Sequence, residues 1–249
     1  MSVHLKGLKP EDLGEATLLV GDPGRVPVIA EAWQNAQVVC ENREYLFMNG
    51  FYNGRKVSVC STGIGIGSTE IAVIELLEQG AKHMVRVGGC GAWKADIKPG
   101  DLIVNHAMAR EEGTLGAYAK DGYPAAADPL LVSSLRQAAL RRGFDVHFGI
   151  GLTTQTYYLG QNRKPAIPVG PEPDELIAYW EKRSILNCEM ETAVIYVLAS
   201  IYGARAANCL VVHGSRISDV WVPDEEYRRI HAETSKMVLE ACFAAIDQV

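Results

Sequence analysis

Three arginines and one glycine-rich segment are the residues of this 249-residue chain whose types and spacing could do chemistry. Arg25 follows a tight turn in Gly21-Asp22-Pro23-Gly24-Arg25, and Arg86 sits at the end of an apolar run in Val85-Arg86-Val87-Gly88-Gly89. A guanidinium in an apolar strand is costly unless an anion or carboxylate pairs with it. Arg43 lies between two acids in Glu41-Asn42-Arg43-Glu44-Tyr45 and reads equally as a surface ion-pair residue. The segment Ser61-Thr62-Gly63-Ile64-Gly65-Ile66-Gly67-Ser68 follows a strand and opens a helix. Closely spaced glycines let backbone N–H groups approach an anion, and the helix N-terminus adds a favourable field. The spacing is G-x-G-x-G rather than the dinucleotide G-x-G-x-x-G, and the next strand ends in Arg86 where a ribose-binding acid would be expected. A dinucleotide site is therefore the weaker reading, and a bare strand–helix turn remains open. Taken together, the arginines and glycines point to an oxyanion pocket assembled from separate turns.

Elements of an α/β pattern must position these groups. Apolar runs that are continuous rather than alternating predict buried strands at 16–20, 56–60, 84–87, 101–104, 146–154 and 206–212. Asn53-Gly54 predicts a hairpin turn between 44–50 and 56–60. Helical spacing predicts helices over 26–33, from Ile71 through Leu77, and over 129–142, 172–182, 191–202 and 225–246. Strands thus alternate with helices, which favours one α/β domain with a largely buried sheet. Ligands in such folds sit at the carboxyl ends of strands. The strands ending near residues 20, 60 and 87 lead into the glycine- or arginine-bearing turns, so a shared site is expected there.

Composition bounds the function. Thirty acids against twenty-four bases, a formal net charge of -6, argue against a dedicated nucleic-acid binder. The total leaves room for a small anionic ligand, because a few convergent arginines barely alter it. The six cysteines (Cys40, Cys60, Cys90, Cys188, Cys209 and Cys242) show neither C-x-x-C nor zinc spacing and read as buried reduced thiols. No metal site is expected. The first residues lack an apolar signal core and no stretch reaches ~18 apolar residues, so the expectation is a cytoplasmic protein without a membrane partner.

In the order and spacing of its motifs the chain resembles the nucleoside phosphorylase superfamily, and within it the uridine phosphorylase branch. The resemblance runs from Val3 to the last helix. Gly21 to Arg25 resembles the family's first phosphate turn, Ser61 to Leu76 its long glycine motif, and Arg86-Val87-Gly88 its second phosphate strand. Cys188-Glu189-Met190-Glu191-Thr192-Ala193 resembles its ribose-binding segment, and Tyr157 to Arg163 (YYLGQNR) the pyrimidine-specific G-Q-x-R insertion. The resemblance implies a single domain spanning 1–249, an α/β fold whose central mixed sheet is partly closed into a barrel and flanked by helices. It implies reversible phosphorolysis of pyrimidine nucleosides, uridine plus phosphate giving uracil and ribose 1-phosphate. Inorganic phosphate is then a co-substrate, and no metal or organic cofactor is required.

Site roles follow from the resemblance residue by residue. Gly21, Arg25, Arg86 and Gly89 would line the phosphate, with Arg43 reaching the neighbouring subunit's phosphate. His4 would be lent across a dimer to the ribose, which Met190, Glu189 and Glu191 hold. Tyr157, Gln161, Arg163 and Arg216 would meet the base. A glutamine amide can pair twice with the uracil edge, and Arg163 would stabilise charge growing on the pyrimidine as the glycosidic bond breaks. Arg86, Arg163 and His213 are the candidate catalytic groups. A homo-oligomer follows, at least a dimer, with a hexamer built as a trimer of dimers common in this branch.

Two positions depart from the pattern. Gly89 stands where the family usually carries threonine or serine, which removes a hydroxyl expected to touch phosphate and sugar. His213 falls about where purine-specific members carry a catalytic aspartate, and Asp219 is six positions further on. A strand-end histidine bonded to backbone is the plain alternative for His213. The competing activities are a purine or methylthioadenosine phosphorylase, a nucleosidase using water, and a non-catalytic nucleoside-binding member.

Overall fold

A computed structural model describes residues 2–111, 113–166 and 173–248. Its centre is one mixed ten-stranded sheet. β1 (Ala16–Val20) is buried at every position, with parallel partners on both edges, β4 (Arg55–Ser61) and β5 (His83–Ala92), and apolar layers on both faces. That is why its sequence is a continuous apolar run. Beyond β4 lie β3 (Tyr45–Tyr52) and the edge strand β2 (Gln34–Asn42). On the other side β5 pairs with both β9 (Ile185–Glu189) and β10 (Arg205–Ser215). β9 pairs with β8 (Val146–Thr153), β8 with β6 (Leu102–Arg110), and β6 with β10. Those five strands close a barrel, and β1, β4, β3 and β2 extend it as an open sheet. The short β7 (Ala125–Ala126) adds to β6.

Helices cover both faces. α1 (Arg25–Ala30), α3 (Pro129–Arg141) and α6 (Asp224–Ile246) bury one apolar layer that includes Leu18, Val85, Leu135, Val211 and Met237. α2 (Ile66–Glu78) and α5 (Thr192–Ile201) bury the other with Leu19, Met84, Leu76 and Tyr196. α5 is apolar on all sides and buried from Thr192 to Ala199, as expected of a helix enclosed by the fold. α3 starts where its sequence predicts: Asp128 Oδ1 accepts from the N–H groups of Leu130 and Leu131, at 3.0 and 2.9 Å, and Pro129 occupies the first turn. α4 (Pro173–Glu181) corresponds to the helix expected over 172–182, whose start at Glu172 lies outside the described residues.

The expected hairpin is present, with Asn53 and Gly54 at φ 51° and 76° between β3 and β4. The expected strand at 84–87 is longer than its apolar core. It continues as β5 through Gly88, Gly89 and Gly91 to Ala92, held by parallel pairing with β10 along that length. These glycines therefore do not end the strand. A Cβ at 88 would meet the Arg86 guanidinium at 2.8 Å, and one at 91 would meet Arg216 Nε at 2.6 Å. They make room for side chains inside the barrel mouth. β2, β9 and the two-residue β7 are the strands that hydropathy did not predict. β2 is a largely exposed edge, and β9 is five residues of mixed polarity.

Candidate active site

The carboxyl ends of β1, β5, β9 and β10 open into one cavity of about 220 Å³. Gly21, Asp22 and Arg25 come from the turn after β1, and Arg86, Gly89, Cys90 and Gly91 from β5. Cys188 and Glu189 end β9 and Met190 and Glu191 follow it, His213, Arg216 and Trp221 come from β10 and beyond it, and Tyr157, Gln161 and Arg163 from the loop after β8. Ile64 and Tyr227 complete the lining. Four arginines face three acids in this wall, a local excess of positive charge in a chain that is negative overall.

Arg86 anchors the floor. Its side chain is almost fully buried; Nε donates to Glu189 Oε2 at 3.1 Å and Nη2 donates to Glu191 Oε2. Burial alone would favour the neutral guanidine, but the charges of Glu191 and Glu189 outweigh it and hold Arg86 protonated. Its Nη1 is buried with no protein partner. A buried donor left unpaired costs free energy, so this N–H retains full capacity for an acceptor.

The two acids are not equivalent. Glu189 Oε2 also accepts from the N–H groups of Glu191 and Thr192 and from Thr192 Oγ1, while Oε1 accepts from Thr153 Oγ1 at 2.5 Å. Its acceptor capacity is consumed in fixing β9 to α5 and in orienting Arg86. Each Glu191 oxygen carries one bond, Oε1 from the Gly65 N–H at 2.6 Å and Oε2 from Arg86, which leaves lone pairs for hydroxyl groups. Gly65, at φ 87°, is the residue that turns the glycine-rich segment so that its N–H reaches Glu191. That corrects the expectation of an anion cradle there. The segment's only cavity-lining residue is Ile64, and its Gly65 N–H is already spent on a carboxylate.

The third wall is a stack. The Arg163 guanidinium lies between the rings of Tyr157 (4.3 Å) and Trp221 (4.8 Å), and Arg216 sits over the same indole at 4.9 Å. Arg216 Nη2 donates to Oε1 of the buried Gln161 at 3.3 Å, which sets that amide's orientation. Burial, then the Arg216 charge, lowers the Arg163 pKa, yet an arginine stays charged at neutral pH. Arg163 Nε is buried without a protein partner. The loop can turn this tightly because residue 160 is glycine: a Cβ there would meet Thr156 Oγ1 at 2.8 Å.

His213 stacks on Tyr227 (centroids 4.1 Å apart, planes 18°) and meets Trp221 edge-on. Burial and the Arg25 charge push its imidazole below the usual histidine range, so it is neutral at pH 7. Asp219 is exposed, does not line the cavity, and accepts from Trp221 Nε1 at 3.0 Å. No acid therefore takes the place of the purine-type aspartate among the cavity-lining residues after β10.

His4 and Arg43 are not in this cavity. His4 Nδ1 lies 3.0 Å from Glu75 Oε1, and Glu75 also accepts the N–H groups of Val3, His4 and Leu5. Arg43 is exposed at φ 56° in the β2–β3 turn, and the adjacent Asn42 Nδ2 donates to the His4 carbonyl at 3.0 Å. The two residues thus share one surface corner. Sequence reasoning missed Tyr227 and Trp221. Tyr227 hid among the apolar positions of an amphipathic helix, and Trp221 followed a turn with no motif. All six cysteines are buried and unpaired. Among the described residues no His/Cys/Asp/Glu group could hold a metal, and no helix is long and apolar enough to cross a membrane.

Comparison with known proteins agrees with this geometry. The profile of the phosphorylase superfamily matches residues 15–249. A uridine phosphorylase of Thermococcus kodakarensis is 38% identical over 243 residues, covering 96% of this chain and 87% of the relative. A guanosine phosphorylase of Halorubrum lacusprofundi is 35% identical over 207 residues, 83% of this chain and 81% of its own. The crystal structure of a Vibrio fischeri uridine phosphorylase complexed with 6-hydroxy-1-naphthoic acid superposes with a TM-score of 0.83 at 28% identity, covering 100% of this chain and 97% of that one. With its barrel, its arginine-lined cavity and a profile match over nearly its whole length, the chain belongs to the phosphorylase superfamily.

Proposed function

We propose that this chain is a pyrimidine nucleoside phosphorylase that cleaves uridine with phosphate to uracil and ribose 1-phosphate. The observation that carries the reading is the pairing of the buried Gln161, oriented by Arg216, with the half-buried, stacked Arg163, whose polar atoms suit the edge of a pyrimidine. The exposed position of Asp219 weighs against the purine alternative. Retention of Arg25 and Arg86 in the cavity weighs against a nucleosidase, which needs no anion site.

In this mechanism phosphate lies against Arg25, Gly21 and the free Nη1 of Arg86. Glu191 and Met190 hold the ribose, with Glu189 bracing Arg86 rather than touching sugar. Phosphate attacks C1′ as the glycosidic bond loosens, and Arg163 stabilises charge on the departing base. Positioning and electrostatics supply the catalysis without a covalent enzyme intermediate. His213, neutral and stacked, lines the phosphate side. No cofactor beyond phosphate is needed. The exposed corner carrying His4 and Arg43 supports a functional unit of at least two subunits, each completing its partner's site, within a hexamer. Six reduced, buried thiols support a cytoplasmic enzyme of pyrimidine salvage.

Uridine, thymidine, inosine, adenosine and methylthioadenosine, each with and without phosphate, test the assignment. Phosphate-dependent release of uracil is expected. Equal cleavage without phosphate, or a preference for purines, would overturn it.

A further inference from the structure

Residue 89 is a glycine on an inward-facing stretch of β5, and the space beside its Cα is already taken. A Cβ built there would overlap Tyr227 Oη and stand 3.2 Å from Tyr227 Cζ. The phenol reaches this point from α6, whose Tyr227 packs in the same apolar layer as Val85 and Val87 of β5. It is held there by contacts on each side of its ring: His213 stacks on it at 4.1 Å, His231 meets it edge-on at 4.5 Å, and the Arg25 guanidinium lies 5.2 Å from the ring centroid. The residue is 6% exposed and lines the cavity.

The hydroxyl has an unspent proton. Its hydrogen-bonding neighbour is Arg25, which can only donate to the phenol oxygen. Among the described residues none accepts from Tyr227 Oη. Burial keeps the phenol protonated at neutral pH, although the Arg25 charge pulls the other way. Tyr227 is therefore a fixed neutral donor beside two arginines that line the same cavity, one of them with a free N–H of its own. An oxyanion seated between Arg25 and Arg86 would have three donors of different origin converging on it.

We propose that Tyr227 is a phosphate-contacting residue, its hydroxyl filling from α6 the position that a side-chain hydroxyl on residue 89 would otherwise fill, and that Gly89 is glycine to admit it. The proposal rests on the phosphorylase reading above. It makes positions 89 and 227 an exchangeable pair, with one hydroxyl required and room for only one.

Four chains test this: Tyr227→Phe, Gly89→Thr, Tyr227→Ala, and the double variant Gly89→Thr/Tyr227→Ala. Each is assayed for kcat and for separate KM values towards uridine and phosphate, and for stabilisation against heat by inorganic phosphate alone. Tyr227→Phe, which keeps the packing, is expected to raise the phosphate KM about tenfold or more and leave the uridine KM within about twofold, as loss of one hydrogen bond to a charged ligand predicts. Its heat stabilisation by phosphate falls in parallel. Gly89→Thr alone collides with the phenol and loses activity, and the double variant binds phosphate better than Tyr227→Ala. A wild-type phosphate KM in Tyr227→Phe, or a double variant no better than Tyr227→Ala, overturns the proposal with the phosphorylase reading intact. A wild-type chain that neither needs nor binds phosphate overturns both.

Discussion

Arg163 shows how one side chain acquires a role that its sequence context hides. In YYLGQNR it is a loop arginine among polar neighbours, and a solvated loop residue is what composition alone suggests. In the fold it is pressed between two aromatic faces with one buried N–H left over. That arrangement removes its rotamer freedom before substrate arrives, so little entropy remains to be lost on binding. Arg163→Ala is expected to lower kcat/KM for uridine by about 10²–10³, the usual effect of deleting a donor aimed at developing charge, and to leave the phosphate KM unchanged. Steady-state kinetics with each substrate varied in turn would show it. Unchanged uridine turnover would remove Arg163 from the base pocket. The partner residue Trp221 was not legible because its role is to stack on Arg163 and Arg216, and stacking leaves no spacing pattern in a sequence.

At the scale of elements, hydropathy found the strands whose sequences are apolar and missed those whose sequences are not. β1 is a nearly continuous apolar run because helix-bearing apolar layers cover both its faces, and β10 is largely apolar because one face meets α3 and α6 while Leu210 and Val212 on the other pack inside the barrel. β2 escaped because a sheet edge need not be apolar, and β9 because its Asn187 and Glu189 are polar yet buried, with Asn187 Oδ1 and both Glu189 oxygens accepting hydrogen bonds inside the fold. Asn105 Nδ2 donates to Asn187 Oδ1 at 2.8 Å, and Asn208 Nδ2 donates to Asn105 Oδ1 at 3.0 Å. Buried polar groups satisfied by one another read as loop residues until the fold brings them together.

The α6 element carries its own prediction. His231 is 3% exposed and both ring nitrogens lack protein partners. Burial first, then the charges of Arg25 and Arg86, push its imidazole well below the histidine value of 6.5. Below about pH 6.5 the unfolded chain takes up a proton that the native state refuses, so the unfolded state binds more protons and stability falls as pH falls. The slope from this one group is at most about 1.4 kcal/mol per pH unit. His231→Gln should therefore lose less of its melting temperature than the wild type on acidification from about pH 7 to about pH 5, since glutamine does not titrate there. Parallel curves for the two proteins would show that His231 does not set the acid limit.

For the whole molecule, the net charge of -6 coexists with a cavity that collects four arginines, and the two facts belong to different length scales. The overall sign governs encounters with polyanions, while the cavity binds through groups a few ångströms apart. A lone subunit leaves His4 and Arg43 outside that cavity, together at the corner where Asn42 ties the N-terminal segment to the β2–β3 turn. If that corner completes the site of a second copy, two defective chains can repair each other. One chain would carry His4→Ala and Arg43→Ala, and the other Arg163→Ala. Each alone is expected to be nearly inactive. In a mixed dimer one site receives both defects and the other receives none, as the reciprocal contacts of a two-fold interface require. Random pairing makes half of the dimers mixed with one intact site of two, so the mixture should regain about a quarter of the wild-type activity per chain. Co-expression followed by a uracil-release assay measures it. Activity no greater than the average of the two parents would mean that each cavity works alone, and that His4 and Arg43 serve only the fold of their own subunit.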